Sequence, residues 1–423
     1  MRVLLYSISY SPEVAGSGRF NGELTKWLAQ QGHEVDVITA QPYYPEWKVR
    51  AEYRGKGWFT EKTGTLTVYR TPLYVPEHVT GGTRILHELS FAFNSLVHWG
   101  RLLFKRYDVL IGVCPPLQAG LVPYVFSRLK RTPFVFHIQD LQVDTARNLG
   151  MIKNEPLLNF LDGIERYLLR NAHRVSSISE GMKRNILSKG TPPDRYRMIE
   201  NWVDIDVFQP LSKEQSLRAE LGFLPTDQIA LYAGNIGEKQ GLEVLVDAAL
   251  LLRDQPTIKI VIFGEGAARE RLQEAARQQS LDNLLFFSIL PYEQMPRVLA
   301  MADIHLVVQK RAASDLVMPS KLVGILATGG ASIVSADSGT SLSDVVLANR
   351  LGWVIEPDQG DLLANEIRLA LQSPLLQQYR LNARQYAEEH LSERAILPRF
   401  ETMLLELTGR QSLKGNTSNV TKV

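Results

Sequence analysis

The sequence predicts an α/β protein made of two doubly wound lobes, and three observations lead to this prediction. Short apolar strands with few charges alternate with helical stretches, a pattern typical of parallel strands that are buried on both faces. A strand, a glycine loop and a helix follow one another near the start of the chain, and the same succession recurs from residue 229. The chain has 423 residues, which is long for one domain and sufficient for two.

The predicted strands form two groups, one in each half of the chain. The first group comprises Arg2–Ile8, Glu34–Thr39, Thr67–Thr71, Val109–Val113, Phe134–Ile138, Val175–Ile178 and Met198–Glu200. The second comprises Ile229–Ala233, Ile258–Phe263, Leu284–Phe287, Ile304–Val308, Ala331–Ser335 and Gly352–Ile355. Helical patterns between the first strands include Asn21–Gln31, Leu117–Leu129 and Leu157–Arg170. We therefore expect two sheets with helices on both faces of each.

The boundary between the lobes is expected near residues 203–228, which contain two prolines and a polar helical pattern, Lys213–Leu221. This gives a first domain over 1–205 and a second over 206–390. The last helical patterns are Leu375–Glu389 and Glu393–Leu407. We expect 391–408 to be a helix that packs back on the first domain, and the polar residues 409–423 to be disordered.

Composition and charge exclude several classes of function. The chain is 45% hydrophobic and 22% charged, with a net charge of +2 that gives no reason to expect nucleic acid binding. The single cysteine, Cys114, excludes an intramolecular disulfide framework and fits a reducing cytosol. No signal peptide pattern is visible, and no apolar run reaches the length that spans a bilayer. A cytoplasmic protein is expected.

One apolar segment has two interpretations. Leu89–Gly100 contains no Asp, Glu, Lys or Arg and reads as a helix too short to span a bilayer. It is either a helix packed in the core, or a surface helix in the lipid headgroup region with Trp99 and Phe104 inserted. The second interpretation predicts peripheral membrane contact through residues 84–106 and places three basic side chains on lipid phosphates: Arg101, Lys105 and Arg106.

Two common nucleotide-binding motifs do not fit the first glycine loop. In the dinucleotide fingerprint G-x-G-x-x-G the third glycine stands three residues after the second. Here the glycines are Gly16, Gly18 and Gly22, so the third comes one residue late, and Asn21 occupies its place. A P-loop NTPase is excluded because the sequence contains no G-x-x-x-x-G-K-[ST] pattern.

Five motifs in a fixed order resemble a known family, the retaining glycosyltransferases of family 4 with the GT-B fold. They are Gly16-Ser-Gly-Arg-Phe20, Ile199-Glu-Asn-Trp-Val-Asp-Ile-Asp-Val-Phe208, Tyr232-Ala-Gly-Asn-Ile-Gly-Glu-Lys-Gln-Gly241, Val261-Ile-Phe-Gly-Glu-Gly266 and Met318-Pro-Ser-Lys321. The likeness covers residues 1–405. It implies a GT-B protein of two Rossmann-like lobes with an interlobe cleft, the first lobe binding the acceptor and the second the nucleotide sugar.

The sequence departs from the family pattern at the donor site. The family places two glutamates eight residues apart around the last of these motifs, and Gly324 stands where the second would be. The nearest acid before it is Asp315. Asn235 replaces the arginine that often follows the first glycine of the second loop.

Sugar transfer from a nucleotide sugar breaks the bond between C1 and a diphosphate, so cations and N–H donors at the diphosphate stabilise the transition state. Lys239 and Lys321 are the candidate cations; for each, an ordinary surface lysine is the alternative. The other candidate donor-binding residues are Gly16, Ser17, Gly18, Asn235, Gly237, Gly264, Glu265, Gly266, Asp315, Pro319 and Ser320. A loop rich in aromatic residues, 41–49, is a candidate ligand wall or a packing element.

The acceptor hydroxyl must lose a proton, and Asp140, at the end of a predicted strand, is the candidate to accept it. His137 is a second candidate, although on a regular strand it points to the opposite face and fits a core histidine equally well. Asp144 lies one helical turn after Asp140, and Glu180 reads as a capping acid. No cofactor and no catalytic metal are expected, and Asp204-Ile-Asp206 is not assigned as a metal site.

The resemblance implies a retaining hexosyltransferase that acts by same-face attack. Its exopolysaccharide branch implies GDP-fucose as donor and a lipid-linked saccharide as acceptor, at the inner face of the membrane. Two alternatives stay open: a sugar-nucleotide epimerase of the same two-lobed fold, and a non-catalytic sugar-binding protein.

Overall fold

The computed structural model describes residues 1–13, 16–148, 150, 152, 154–311 and 319–410. Its contacts divide the chain into two compact units. Unit 1 consists of Met1–Glu200 together with the described part of Leu397–Val423, and unit 2 of Asn201–Ile396. The boundaries between the units fall after residues 200 and 396, whereas the sequence predicted domain boundaries after residues 205 and 390. Residues 411–423, most of the segment for which disorder was expected, lie outside the described residues.

Unit 1 is built on an eight-stranded sheet. Its strands are β1 Arg2–Tyr6, β2 Glu34–Ala40, β3 Phe59–Thr63, β4 Leu66–Thr71, β5 Val109–Cys114, β6 Phe134–Ile138, β7 Arg174–Ser177 and β8 Tyr196–Met198. Their order is β3-β4-β2-β1-β5-β6-β7-β8, and all neighbours are parallel except β3 and β4. The apolar strand pattern does not predict β3, because this edge strand is polar and mostly exposed and lacks the apolar run of the other strands.

The helices of unit 1 connect these strands in the manner of a doubly wound sheet. They are α1 Ser17–Gln30, α2 Gly81–Arg101, α3 Gln118–Lys130, α4 Gln142–Asn148, α5 Glu155–Asn171 and α6 Glu180–Ser188. Local capping fixes several starts. Asn154 accepts from the Leu157 N–H at 3.0 Å before α5, and the Ser179 hydroxyl accepts from Met182 N before α6.

Unit 2 has an all-parallel sheet of six strands. They are β9 Gln228–Ala233, β10 Ile258–Phe263, β11 Leu284–Phe287, β12 Ile304–Val307, β13 Ser332–Ser335 and β14 Gly352–Ile355, in the order β11-β10-β9-β12-β13-β14. Alternate residues of β10 enter different cores: Ile260 and Ile262 join one cluster, Val261 and Phe263 the other. The sheet is therefore buried on both faces, as the uncharged strands predicted.

The helices of unit 2 are α7 Glu243–Leu251, α8 Arg269–Gln278, α9 Met295–Leu299, α10 Lys321–Ala327, α11 Ser341–Ala348, α12 Gly360–Gln372 and α13 Leu376–Tyr386. The predicted helix at Lys213–Leu221 is wrong, since only Lys213–Gln215 forms a short 3-10 turn. The chain then turns inward, because the buried Arg218 guanidinium donates to the carbonyl oxygens of Met301 at 2.7 Å and Asp227 at 2.9 Å.

The last helix, α14 Glu393–Thr408, contributes its first residues to unit 2 and the rest to unit 1. In unit 2, Glu393 N donates to Val203 O at 3.1 Å. In unit 1, the fully buried Phe400 ring packs on His137, and Glu401 pairs with His33 at 2.7 Å. The helix therefore completes the core of unit 1.

The structure of residues 84–106 corrects the membrane prediction at two side chains. Trp99 is only 5% exposed and packs against Tyr6 and Phe126, so it does not insert into a bilayer. Lys105 pairs with the Asp36 carboxylate, so its ammonium is already bound within the protein and is not placed on a lipid phosphate. Phe104, by contrast, is 90% exposed. Within the described ranges, no helix has both the length and the apolar character needed to cross a bilayer.

Candidate active site

The glycine loops after β9 and β10 are bonded to each other at the carboxyl edge of the second sheet. Gly234 N donates to Phe263 O at 2.9 Å, and Ile236 N donates to Glu265 O at 2.8 Å. A Cβ atom at position 264 would lie 2.0 Å from the Gly234 carbonyl oxygen. Glycine is required there because the two backbones touch, so this G-x-G builds the floor of a site.

Lys321 begins α10 and extends to the same floor. Its Nζ lies 3.6 Å from the centroid of the Tyr232 ring, and a Cβ atom at Gly234 would lie 3.3 Å from that Nζ. The residue as a whole is half-buried, but its Nζ is enclosed and has no hydrogen-bond partner among the described residues. Burial lowers the pKa of Lys321 to about 7. Because a buried charge is stable only when it is paired, this nitrogen is suited to contact with an anion.

Tyr232, which the sequence analysis did not single out, shapes this floor. Its ring lies below the Lys321 ammonium, and its hydroxyl donates to Asn235 O at 2.6 Å, which fixes the turn of the loop. The Asn235 side chain is exposed, and Gly237 follows it. The sequence signal that could have identified Tyr232 is an aromatic residue with a hydroxyl group near the end of a buried strand, just before a glycine loop.

Lys239 lies in a short 3-10 turn, Glu238–Gln240, between the loop and α7. The turn is fixed from both sides: Lys310 N donates to Lys239 O at 2.9 Å, and Glu238 pairs with Arg271 at 3.0 Å. Gly241 ends the turn with a φ of +60°. Lys239 itself is half-buried, so the structure places it on a fixed segment after the Gly234 loop.

The remaining donor candidates differ in their positions and in their contacts. Pro319 O accepts from Leu322 N at 3.0 Å, and Ser320 is the cap of α10, so both position Lys321. Glu265 is exposed and pairs with Arg269, whose guanidinium also donates to Gly264 O. Asp315 and Met318 lie outside the described residues. Gly266, with a φ of +152°, would bring a Cβ atom 2.3 Å from Ile236 O. Gly324 lies within α10 and packs on the ring of Phe208.

The first glycine loop packs against its own helix. Gly16, the exposed N-cap of α1, has a φ of +62°, and Ser17 begins the helix. Gly18 is buried, and a Cβ atom there would lie 2.9 Å from Glu13 Cβ. Asn21 donates to Ser7 Oγ at 3.0 Å. Gly18 therefore serves this close approach, while Gly16 and Ser17 remain accessible at the carboxyl edge of the sheet.

Glu13 is a buried carboxyl that the sequence analysis did not identify. Its Oε1 accepts from the backbone N–H groups of Tyr43 at 2.9 Å and Tyr44 at 3.0 Å. Its Oε2 is buried and has no hydrogen-bond partner within the part of the chain that the structure describes. Burial raises the pKa of Glu13. Glu13 thereby links the first glycine loop to the aromatic loop, where Tyr43 packs on Trp47 and His87.

The two acceptor-side candidates, His137 and Asp140, lie in different environments. His137 is 3% exposed; its Nε2 accepts from the Gln139 amide at 2.8 Å, which leaves Nδ1 to donate to Ser176 Oγ at 2.9 Å. Burial lowers the pKa of His137 to about 4, and both ring nitrogens are bonded, which favours the core-histidine interpretation. Asp140 is half-buried beyond the end of β6, and its Oδ1 accepts from Thr145 Oγ1 at 3.0 Å.

The other acids of the sequence analysis have structural partners. Asp144 pairs with Lys189 at 2.8 Å, beside Asp162 and Glu165. The Lys189 ammonium contacts all three carboxylates, so it occupies the centre of this acidic cluster. Glu180 pairs with Lys183 on α6. Asp204 accepts from Asp206 N in a turn, and Asp206 pairs with Arg394, so the D-x-D spacing serves the local structure.

Comparison with known proteins agrees with this geometry. A model described as "Glycosyl transferase 4-like domain" matches residues 15–202, and one described as "Glycosyl transferases group 1" matches residues 213–390. The chain is 39% identical over 407 residues to the "Putative colanic acid biosynthesis glycosyl transferase WcaI" of Escherichia coli K12, covering 95% of this chain and 98% of the relative.

Solved structures support the fold. The sucrose-phosphate synthase of Thermosynechococcus elongatus superposes with a TM-score of 0.75 at 17% identity, covering 96% of this chain and 99% of that one. Anabaena HepE in complex with UDP-glucose gives 0.70 at 15% identity, covering 96% and 100%. Two doubly wound units, a glycine-lined floor with an enclosed lysine, and these matches lead to one conclusion: the chain belongs to the glycosyltransferases of the 4-like and group 1 family, with the GT-B fold.

Proposed function

We propose that this glycosyltransferase moves a hexose, with retention of configuration, from a nucleotide sugar bound by unit 2 to a saccharide acceptor bound by unit 1. The observation that supports this most directly is the enclosed Lys321 ammonium above Tyr232, next to a loop in which only glycine fits. A diphosphate would supply the anion that this ammonium lacks.

In the proposed reaction, the bond between sugar C1 and the diphosphate oxygen breaks while the acceptor oxygen bonds to C1 on the same face. Negative charge develops on the departing diphosphate, where Lys321 and Lys239 stabilise it. The acceptor proton passes to a leaving-group oxygen or to Asp140, which also positions the sugar hydroxyls. No step in this scheme needs a metal or a cofactor.

The proposed donor is GDP-fucose, and the proposed role is in exopolysaccharide assembly of the colanic acid type. The name of the relative that is 39% identical over most of both chains supports the colanic acid role. The donor itself rests only on the resemblance of the sequence motifs to the exopolysaccharide branch of the family. A thermal-shift panel of GDP, UDP and their sugars tests the base, because a bound nucleotide raises the midpoint of unfolding by mass action. Stabilisation by UDP and not by GDP would contradict the proposed donor.

The proposed acceptor is a lipid-linked saccharide at the inner face of the membrane, which the cytoplasmic protein approaches through α2. An exposed apolar stripe at helical spacing supports this contact: Leu86, Leu89, Phe93, Leu96 and Val97, each 36–69% exposed. The buried side of the same helix contains Phe91 and Trp99. One face of α2 therefore packs in the core while another presents apolar side chains to the surroundings.

Transfer and its alternative, epimerisation, differ in their need for an acceptor. We expect sugar to move to a lipid-linked acceptor extract only when both substrates are present, and Lys239→Ala to slow that transfer. A changed sugar nucleotide formed without any acceptor would favour an epimerase instead. Lys183→Ala, an exposed lysine on α6, provides the matched control and should transfer at the wild-type rate.

A further inference from the structure

Unit 1 contains a basic pocket at the edge of its sheet opposite to Asp140. The pocket has a volume of about 610 Å³ and is lined where β5 and β6 begin, by Asp108 and Pro133 among others. Asp140 and Glu13, in contrast, follow the carboxyl ends of β6 and β1. The pocket therefore lies apart from the residues of unit 1 that are proposed for transfer.

The lining of this pocket is dominated by cations: Arg106, Lys130, Arg131 and Arg410. Asp108 is already engaged, since its Oδ1 pairs with Arg410 at 2.8 Å and its Oδ2 accepts from Arg2 N at 2.7 Å. Lys130 Nζ donates to Leu103 O at 2.7 Å, which holds the end of α3 against the segment after α2. The lining thus has an excess of positive charge suited to a phosphate group.

Exposed apolar side chains occur in the lining of this basic pocket and in the segment that leads to it. Phe104 is 90% exposed and Leu129 71% exposed, the two highest values among the large hydrophobic residues that the structure describes. Leu129 lines the pocket, and Phe104 is two residues before Arg106. Leu103 is also exposed. Exposed aromatic and aliphatic side chains beside several cations are the combination that binds the headgroup region of an anionic membrane.

We propose that this pocket binds the phosphate headgroup of an anionic membrane phospholipid, with Phe104 and Leu129 inserted among the lipids around it. The proposal rests on the membrane contact proposed above and specifies its chemistry. The headgroup phosphate accepts hydrogen bonds from Arg106 and Arg131, and the apolar pair enters the layer below the headgroups. Binding should therefore require anionic lipid as well as the apolar side chains.

Flotation with vesicles of phosphatidylcholine alone, or mixed with phosphatidylglycerol, tests the site. We expect Arg106→Gln with Arg131→Gln to weaken binding to the anionic vesicles at least about tenfold, given about fivefold per basic residue near such a surface. Arg253→Gln with Arg277→Gln removes the same charge from exposed positions of unit 2 and should bind like the wild type. Thermal unfolding of each variant establishes that it is folded.

Three results would overturn the proposal, each in a distinct way. Unchanged vesicle binding of the pocket variant, with binding lost in Phe93→Ser with Leu96→Ser, would reject the pocket and retain the membrane contact through α2. Saturable binding of inorganic phosphate that Arg106→Gln with Arg131→Gln abolishes, while vesicle binding of that variant stays unchanged, would assign the pocket to a soluble phosphate. Absence of wild-type binding to either vesicle would reject both membrane proposals, while transfer to a soluble saccharide acceptor would leave the proposed reaction standing.

Discussion

Lys321 combines two properties that conflict in the unliganded protein. We propose it as the cation that holds the diphosphate, and its ammonium is enclosed with no hydrogen-bond partner among the described residues. Burial relieves the conflict by lowering its pKa to about 7, so a large fraction of the molecules carry a neutral amine there near neutral pH. An incoming diphosphate reverses this, because an adjacent anion favours the protonated form.

We expect Lys321→Met to weaken binding of the cognate nucleoside diphosphate about tenfold to a hundredfold, since a hydrogen bond to a charged group contributes roughly 1.5–3 kcal/mol. Titration calorimetry measures this, with Lys183→Met as the control that should bind normally. The wild-type affinity should also fall as the pH rises through about 7, where Lys321 loses its proton, and Lys321→Met should lack that component.

Stability should respond in the opposite direction. The pKa of Lys321 is about 7 in the folded chain against an ordinary value of 10.5, so between these values the unfolded chain binds the extra proton. The contribution of this group to stability therefore rises with pH across that window. Without nucleotide, Lys321→Met should unfold at a higher temperature than the wild type near neutral pH, and a lower midpoint would contradict the enclosed ammonium.

Glu13 provides a second test at the level of one residue. Glu13→Ala leaves the N–H groups of Tyr43 and Tyr44 without their acceptor, so we expect it to lower the free energy of unfolding by roughly 1–3 kcal/mol. Glu13→Gln keeps an oxygen for both bonds and should unfold close to the wild type. Urea denaturation compares the two variants, and equal losses in both would refute the bonding role of Oε1.

Among the elements, the two interlocked glycine loops of unit 2 have little freedom to change. The Gly234 loop and the Gly264 loop are joined by backbone hydrogen bonds, and neither Gly264 nor Gly266 has room for a Cβ atom. The floor under the proposed diphosphate is therefore backbone packed on backbone. Its geometry is therefore set by backbone hydrogen bonds and not by side-chain contacts.

We expect Gly264→Ala to displace the Gly234 loop, to lower stability and to abolish detectable nucleotide binding, because the new methyl group would overlap the Gly234 carbonyl oxygen. Gly163→Ala is the matched control: it lies inside α5, where a Cβ atom meets nothing within 4 Å, and should stabilise by up to about 1 kcal/mol. Thermal shift with and without nucleotide reports both effects. Normal binding by Gly264→Ala would exclude the loop from the donor site.

The sequence predicted the elements well and their exposure poorly. Twelve of the thirteen predicted strands coincide with strands of the structure, because a short apolar run between two helical stretches has the length and composition of a buried strand. The prediction Met198–Glu200 is displaced, since it shares only Met198 with β8. Helix α2 shows the limit. Its buried residues, Phe91 and Trp99, and its exposed ones, Phe93 and Leu96, are all apolar, so periodicity alone could not say which face enters the core.

The candidate site also has features that the sequence could predict and features that it could not. The motif glycines were predictable because only glycine permits the backbone conformations and close backbone contacts of these loops. The state of Lys321 was not, because it depends on Tyr232 and Gly234, which are far from it in sequence and come near it only in the folded sheet. His137 was undecided from sequence, and its bonds to Ser176 and Gln139 give it a structural role.

The whole molecule is two units whose chain passes from the first to the second and back. Phe400 of α14 is fully buried in unit 1. We expect Phe400→Ala to lower the free energy of unfolding of unit 1 by about 3–5 kcal/mol, with faster hydrogen exchange in peptides of unit 1 than in those of unit 2. Leu381→Ala, at an exposed position of α13, should change stability by less than about 0.5 kcal/mol. Uniform acceleration in both units would contradict the assignment of α14.

This path of the chain determines the order in which the protein can mature on the ribosome. Residues 1–200 emerge first, yet their core lacks Phe400 and Leu404 until the last helix has been synthesised. Unit 2, contiguous in sequence, can close as soon as residue 396 has left the exit tunnel. The half that is translated first is therefore completed last, and until then its core lacks the apolar side chains of the final helix.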